Sequence, residues 1–130
     1  IMANPNIVNV ATINGESVGF NLTATTTTTL LTVSSNKLLK IIRITCANVD
    51  GTNAADLSLS ITKSNFTSAG VTNFDTSGTF FLAKTVSVPA DATLVVLDTP
   101  IYLMEADVLK GGASVASDLD LVISYEVIDD

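Results

Sequence analysis

The chain has 130 residues, 47% of them hydrophobic and only 15% charged, with six basic against thirteen acidic side chains for a net charge of −7. That length suits one domain spanning residues 1–130 with a core of its own, and so much apolar content excludes a disordered chain. The basic residues are scattered from Lys37 to Lys110, whereas binding to nucleic acid needs clustered cations that displace counterions, so no nucleic-acid partner is expected.

In chain order, residues 1–6 read as an extended N-terminal arm. Ile1 ahead of Met2 reads as a reading-frame artefact, and Met2-Ala3-Asn4-Pro5 lacks the basic start and apolar centre of a secretory leader. Ile7–Ile13 alternates loosely and predicts a first strand. Asn14-Gly15 is a hairpin signal, and Glu16–Ala24 predicts the second strand, with Phe20, Leu22 and Ala24 on one face. The run Thr25–Thr29 predicts a solvated strand or connection. Leu30–Val33 continues as strand, and Ser34-Ser35-Asn36-Lys37 turns the chain.

Leu38–Val49 is the longest apolar run and is crowded with β-branched side chains, which suit a pleated strand better than a helix. Simple alternation puts Leu38, Lys40, Ile42, Ile44 and Cys46 on one face and Leu39, Ile41, Arg43, Thr45, Ala47 and Val49 on the other. Both faces are mostly apolar, which predicts a central strand with each face at least partly covered. Asp50-Gly51 then supplies a turn.

Asp56–Lys63 alternates cleanly, with Leu57, Leu59 and Ile61 opposite Ser58, Ser60 and Thr62, as a half-buried antiparallel strand does. Ser64–Ser77 predicts a polar loop, pinned to the body or facing another subunit through Phe66, Val71 and Phe74. Thr79–Val88 predicts a strand with Phe80, Leu82, Val86 and Val88 on one face. Pro89-Ala90-Asp91-Ala92 is a turn. Thr93–Leu97 and Pro100–Leu103 predict two strand segments broken at Asp98-Thr99-Pro100, because Pro100 has no ladder donor. Met104–Lys110 predicts a short approach strand with Gly111-Gly112 as the bend after it. Leu119–Ile128 alternates well, with Leu119, Leu121, Ile123, Tyr125 and Val127 inward. About eight strands without helical periodicity predict an all-β antiparallel β-sandwich, and a jelly roll is the natural eight-strand version.

Candidate chemistry is sparse. Histidine is absent and there is one cysteine, Cys46, so neither the usual nucleophile–base pair nor an intrachain disulfide can form. Cys46 inside the central strand reads as a small buried hydrophobe. Gly111-Gly112 lacks the lysine of a phosphate loop. Asp118 and Asp120 could share a strand face and, with Glu105 and Asp107, offer oxygen ligands to calcium; solvated carboxylates that discourage edge pairing are the competing reading. No catalytic, cofactor-binding or metal-binding residue is assigned. No apolar run reaches the length of a membrane-spanning helix, and no membrane partner is expected.

One resemblance stands beside these readings. VSVPADATLVVL (Val86–Leu97), the segment that opens PIYLMEADVLK (Pro100–Lys110) and the closing DLDLVISYEVIDD (Asp118–Asp130) resemble, in that order, small virion structural proteins of tailed phages, especially marine ones. ANVDGTNAAD (Ala47–Asp56) fits the same pattern. Ala106 departs from it, since glycine is usual there, and so does Lys110-Gly111-Gly112, which replaces a more regular strand. The resemblance implies a non-enzymatic part of a phage particle, located in the virion. It would be a capsid decoration protein acting through subunit contacts, or else a tail- or fibre-associated receptor- or carbohydrate-binding module. The partners implied are further copies of itself, a trimer among the forms expected, and other virion proteins such as the major capsid protein.

Overall fold

The computed structural model describes Met2–Ala3 and residues 11–129. Eleven strands follow along these residues: β1 (Met2–Ala3), β2 (Thr12–Asn21), β3 (Thr28–Thr32), β4 (Lys37–Asn48), β5 (Ala55–Lys63), β6 (Phe66–Thr67), β7 (Gly78–Val88), β8 (Thr93–Leu97), β9 (Ile101–Leu103), β10 (Val108–Ala113) and β11 (Leu119–Asp129). The short β1 and β6 pair with each other in parallel. The other nine form two antiparallel sheets, one ordered β3-β10-β5-β7 and one ordered β2-β11-β4-β8, with β9 also on β4. β8 and β9 lie along the same edge of β4 and are separated at Asp98-Thr99-Pro100. Counting them as one broken strand, and setting β1 and β6 aside, leaves the eight strands expected.

These eight pair as a single folded ribbon. The first pairs with the last (β2 with β11), the second with the seventh (β3 with β10), the third with the sixth (β4 with β8 and β9), and the fourth with the fifth (β5 with β7). Rolling that long hairpin sends alternate pairs to different sheets. The inner faces then close on one core, built from Leu39, Ile41, Ile44 and Cys46 of β4, Leu121 and Ile123 of β11, Leu57 and Leu59 of β5, and Leu109 of β10. Fully burying such side chains contributes about 1.5–3 kcal/mol each before chain entropy is counted.

The inward sets of β5 and β11 hold as predicted: Leu57, Leu59, Leu119, Leu121 and Ile123 are fully buried, and Ile61 and Val127 pack against the core, although Ser60 on the opposite side of β5 is fully buried as well. In β4 simple alternation fails. Tyr125 stands opposite Ile41 and Ser124 opposite Arg43, so Ile42 is the extra residue of a β-bulge. The bulge resets the phase, placing Leu39, Ile41, Ile44 and Cys46 all inward while Ile42 and Arg43 both face out and are exposed. β4 is interior to its sheet as expected, but Ile42 and Arg43 leave its outer face open to solvent.

β7 departs in the same way. Its ladder to β5 shifts register twice, so Ala83 and Val88 reach the core while Phe80 and Val86 stay partly exposed. The predicted face keeps Phe80, Val86 and Val88, which stand opposite inward Ile61, Leu57 and Ala55, while the register shifts put Ala83 inside and leave Lys84 out.

Two turn signals are overruled. Asn14-Gly15 makes no hairpin: both residues lie inside β2, opposite Val127 and Glu126, in a ladder of ten pairs to β11. Neither adopts the left-handed backbone that such a turn requires. Of the predicted first strand, Ile7–Val10 lies outside the described residues, as do Ile1 and residues 4–6 of the predicted arm, while Thr12-Ile13 opens β2. Gly111-Gly112 likewise makes no bend but runs straight through β10. A Cβ on Gly111 would meet Leu30 Cδ1 at 2.9 Å and Leu59 Cδ1 at 3.1 Å, and a Cβ on Gly112 would lie 2.6 Å from the backbone oxygen of Thr26. These glycines are there for close packing, not for a turn.

The turns at Asn36 (φ 62°) and Asp91 (φ 59°) use residues that tolerate the left-handed region, whereas Ala106 (φ 69°) does not.

The packing of Gly112 is testable. Gly112→Ala should lower stability by about 1–3 kcal/mol, because the residue 22–27 segment has to lift off β10. Gly15→Ala, with nothing near its added methyl, should change stability by less than about 0.5 kcal/mol. Equal urea midpoints for the two variants would show that the segment is not seated on β10.

Candidate functional site

The most distinctive surface is the outer face of the β2-β11-β4-β8/β9 sheet. On β11 the residues that alternate with buried Leu121, Ile123 and Tyr125 are Asp120, Val122, Ser124 and Glu126. Their neighbours on β2 are small or polar: Gly19 beside Val122, Ser17 beside Ser124, Gly15 beside Glu126. On the other side lie Thr45 beside Val122, then Val95 beside Thr45, and Lys40 beside Glu126, then Tyr102 beside Lys40. Val122 is 49% and Val95 43% exposed, and Tyr102 and Ile42 add to the same face. Large apolar side chains concentrated on one sheet face mark a contact surface more than singly scattered ones do.

Charge on this face is banded. β4 contributes Lys40 and Arg43, and adjacent β11 contributes Asp120 and Glu126, with Lys40 Nζ 3.9 Å from Glu126 Oε1. Asp120 Oδ1 accepts a 2.6 Å hydrogen bond from Asn21 Nδ2. A cationic band beside an anionic one is self-complementary about a two-fold axis running between the strands.

Each end of the sandwich is tied by a buried polar residue. At one end Asn48 Nδ2 donates to the carbonyls of Val88 (2.9 Å) and Asn53 (3.0 Å), while its Oδ1 accepts from the Asp50 amide. This joins the β4–β5 and β7–β8 connections. At the other end Asp107 is fully buried. Its Oδ1 accepts from the Ser64 amide at 2.7 Å, and its Oδ2 from the Met104 amide at 2.9 Å and from Lys63 Nζ. Its backbone carbonyl also accepts from the Val33 amide. Three connections, after β3, β5 and β9, thus meet on one residue. Beside it Phe66 and Phe74 stack with centroids 5.2 Å apart, with Lys63 Nζ over the Phe66 ring, so the Ser64–Ser77 loop is pinned as one reading anticipated, while Val71 stays exposed.

The acidic residues weighed as calcium ligands are not brought together. Glu105 and Asp107 lie in the β9–β10 turn, and Asp118 and Asp120 lie beyond the far end of β10. Among the described residues no group of three or more acidic or cysteine side chains converges as a metal site would need. Asp118 instead faces Asp50 across the loop end. Burial and then the Asp50 charge push the Asp118 carboxyl above its usual range, while hydrogen bonds from the Thr52 amide and others pull Asp50 below it. Cys46 is buried, and its thiol is pushed up to about 11 by burial, with Asp120 adding. Gly111-Gly112 sits inside a strand and forms no phosphate loop.

Sequence reasoning missed both Asn48 and the structural role of Asp107. A polar residue closing an apolar strand, and an acid two residues after a turn start, are weak signals. Only the loops brought around them give those side chains partners. Comparison with protein-family models, with curated proteins and with solved structures gives no match for this chain.

Two predictions follow from these contacts. Asp107→Ala strands Lys63 and two amides without their acceptor and should cost about 3–5 kcal/mol, read as a loss of denaturation free energy; a loss under about 1 kcal/mol would remove Asp107 as an organising residue. For Asp118, a folded carboxyl raised above its unfolded value stabilises most below the ordinary carboxylate range, and that contribution fades as pH rises through the raised value. Asp118→Asn should therefore melt higher than the parent at neutral pH, with the gain shrinking on acidification and with added salt. A gain that persists at acidic pH would point to a cause other than charge.

Proposed function

We propose that the protein is a non-enzymatic structural component of a phage particle, in the first instance a capsid decoration protein that works through contacts between subunits. The observation that carries this reading is the exposed apolar face on β11, β4 and β8, banded by charges that complement a second copy of themselves. The sequence resemblance across Val86–Asp130 points the same way. The strand pairing supports a jelly-roll reading of the sandwich, since a hairpin of eight strands rolled so that first pairs with last is how that fold is wound.

The physical logic is that of a stiff module. A sandwich with tied ends presents a flat face with little ordering cost, and association with neighbours stabilises the folded state by mass action. Val122, Val95 and Ile42 form the apolar centre of the contact, and Lys40, Arg43, Asp120 and Glu126 set its orientation. The alternative, a tail- or fibre-associated receptor- or carbohydrate-binding module, draws its support from a groove on the opposite sheet.

Light scattering should find a multiple of the 13.5 kDa chain mass, and Val122→Glu should reduce it to the monomer without changing the far-ultraviolet circular dichroism. A reconstruction of the particle should then place the sandwich on the capsid shell. A strictly monomeric parent chain that is absent from virions would overturn the reading.

A further inference from the structure

The four-stranded sheet carries a different outer surface. It is rich in hydroxyls, with Thr62 Oγ1 and Thr79 Oγ1 2.9 Å apart across β5 and β7, and it is hollowed into a groove of about 230 Å³. Gly112 and Ala113 of β10 and Ser58 of β5 lie along the groove, Thr25 and Thr27 flank it on one side, and Phe81, Lys84 and Thr85 of β7 flank it on the other. Asp56 and Ser114 close the end. The shape follows from two features already described. Glycine at 112 lets the residue 22–27 segment lie directly on β10, and on β7 Phe81 stands opposite outward Ser60 while the register shifts around Ala83 bring Lys84 to the same side as Phe81 and Thr85.

The chemistry of the groove is mixed. Phe81 is 47% exposed, with Lys84 Nζ 5.1 Å from its ring centroid. Ser58 Oγ accepts from the Thr85 amide at 3.1 Å, and Ser114 Oγ accepts from the Asp56 amide at 2.8 Å. Each of these hydroxyls therefore spends a lone pair on the protein and keeps its own proton to donate. The Asp56 carboxylate offers two acceptor oxygens at the same end. Thr85 holds φ at 48°, a costly conformation for a β-branched residue, and strain of this kind gathers at ligand clamps.

We infer that this groove binds a neutral saccharide, with a C–H face of the sugar ring against Phe81 and its hydroxyls hydrogen-bonded by Asp56, Ser58 and Ser114. An apolar ring bordered by short, fixed donors and one carboxylate matches a molecule that has one C–H face and a rim of vicinal hydroxyls. The acidic chain and Asp56 disfavour an anionic sugar. Lys84, whose Nζ lies near the Phe81 ring, is placed to donate to a sugar oxygen.

The proposal concerns the face opposite the one assigned to self-association, and it stands for either location in the particle. The test is nuclear magnetic resonance titration of the full chain with the methyl glycosides of glucose, galactose, mannose and N-acetylglucosamine. The expected result is that at least one shifts the amides of Ser58, Lys84, Thr85, Gly112 and Ser114, with saturation transfer to the sugar. Phe81→Ala, at a half-exposed position on an edge strand, should weaken that binding roughly tenfold or more, and Asp56→Asn should weaken it while leaving the melting temperature and the oligomeric mass unchanged. No shifts with any of the four sugars, shifts clustered elsewhere, or binding that survives both substitutions would overturn it. Loss of self-association in Val122→Glu with sugar binding intact separates this inference from the reading of the other face.

Discussion

The ladder between β4 and β11 is the constraint on which the rest of the molecule depends. It runs from Lys37 opposite Asp129 to Asn48 opposite Leu119, and it joins the middle of the chain to its end. Both strands have a neighbour on each side, so neither can slip without moving a second ladder. The bulge at Ile42 is what reconciles this pairing with a dry interior. Without it, the phase that buries Leu39 and Ile41 would expose Ile44 and Cys46. One extra residue lets a single strand bury four side chains of two phases, and it turns Arg43 outward beside Ser124.

The opposing sheet answers that ladder by giving up side-chain volume. Gly111 sits where Leu30, Leu59 and, at 3.7 Å, Leu121 converge, so three leucines from both sheets close over a position that has none of its own. The ends of the sandwich are then sealed by polar residues instead of apolar ones. Asn48 and Asp107 each gather connections that have little apolar surface with which to hold themselves. The Val88 carbonyl would otherwise be a buried group without a partner, and the other amides and carbonyls they hold sit in part-buried bonds, so losing either residue carries a desolvation penalty.

The two outer faces are consequently free to differ. One is flat, apolar at its centre and banded in charge, which suits a second protein surface. The other is hydroxyl-rich and grooved, with an aromatic side chain facing out from an edge strand. A rigid body with two unlike faces can be held by one and present the other, and this is the physical sense in which the proposed particle role and the proposed saccharide site are compatible in one small chain.

The alternation in Asp56–Lys63 and Leu119–Ile128, the β-branched crowding of Leu38–Val49, and the punctuation at Ser34–Lys37, Asp50-Gly51, Pro89–Ala92 and Pro100 were enough to determine an antiparallel sandwich of about eight strands. Those signals are local, because side-chain direction in a strand repeats every two residues and turns need particular backbone angles. What alternation cannot carry is an inserted residue. The bulges in β4 and β7 depend on which partner lies alongside, so the inward set of β4 and the place of Ala83 instead of Lys84 on the inner face of β7 were decided only by tertiary pairing. The same holds for Asn14-Gly15 and Gly111-Gly112, whose turn chemistry was overridden by long ladders and by close packing. Asp107 and Asn48 acquired their roles from loops distant in sequence, since a polar side chain becomes structural only when folding removes its water and supplies its partners.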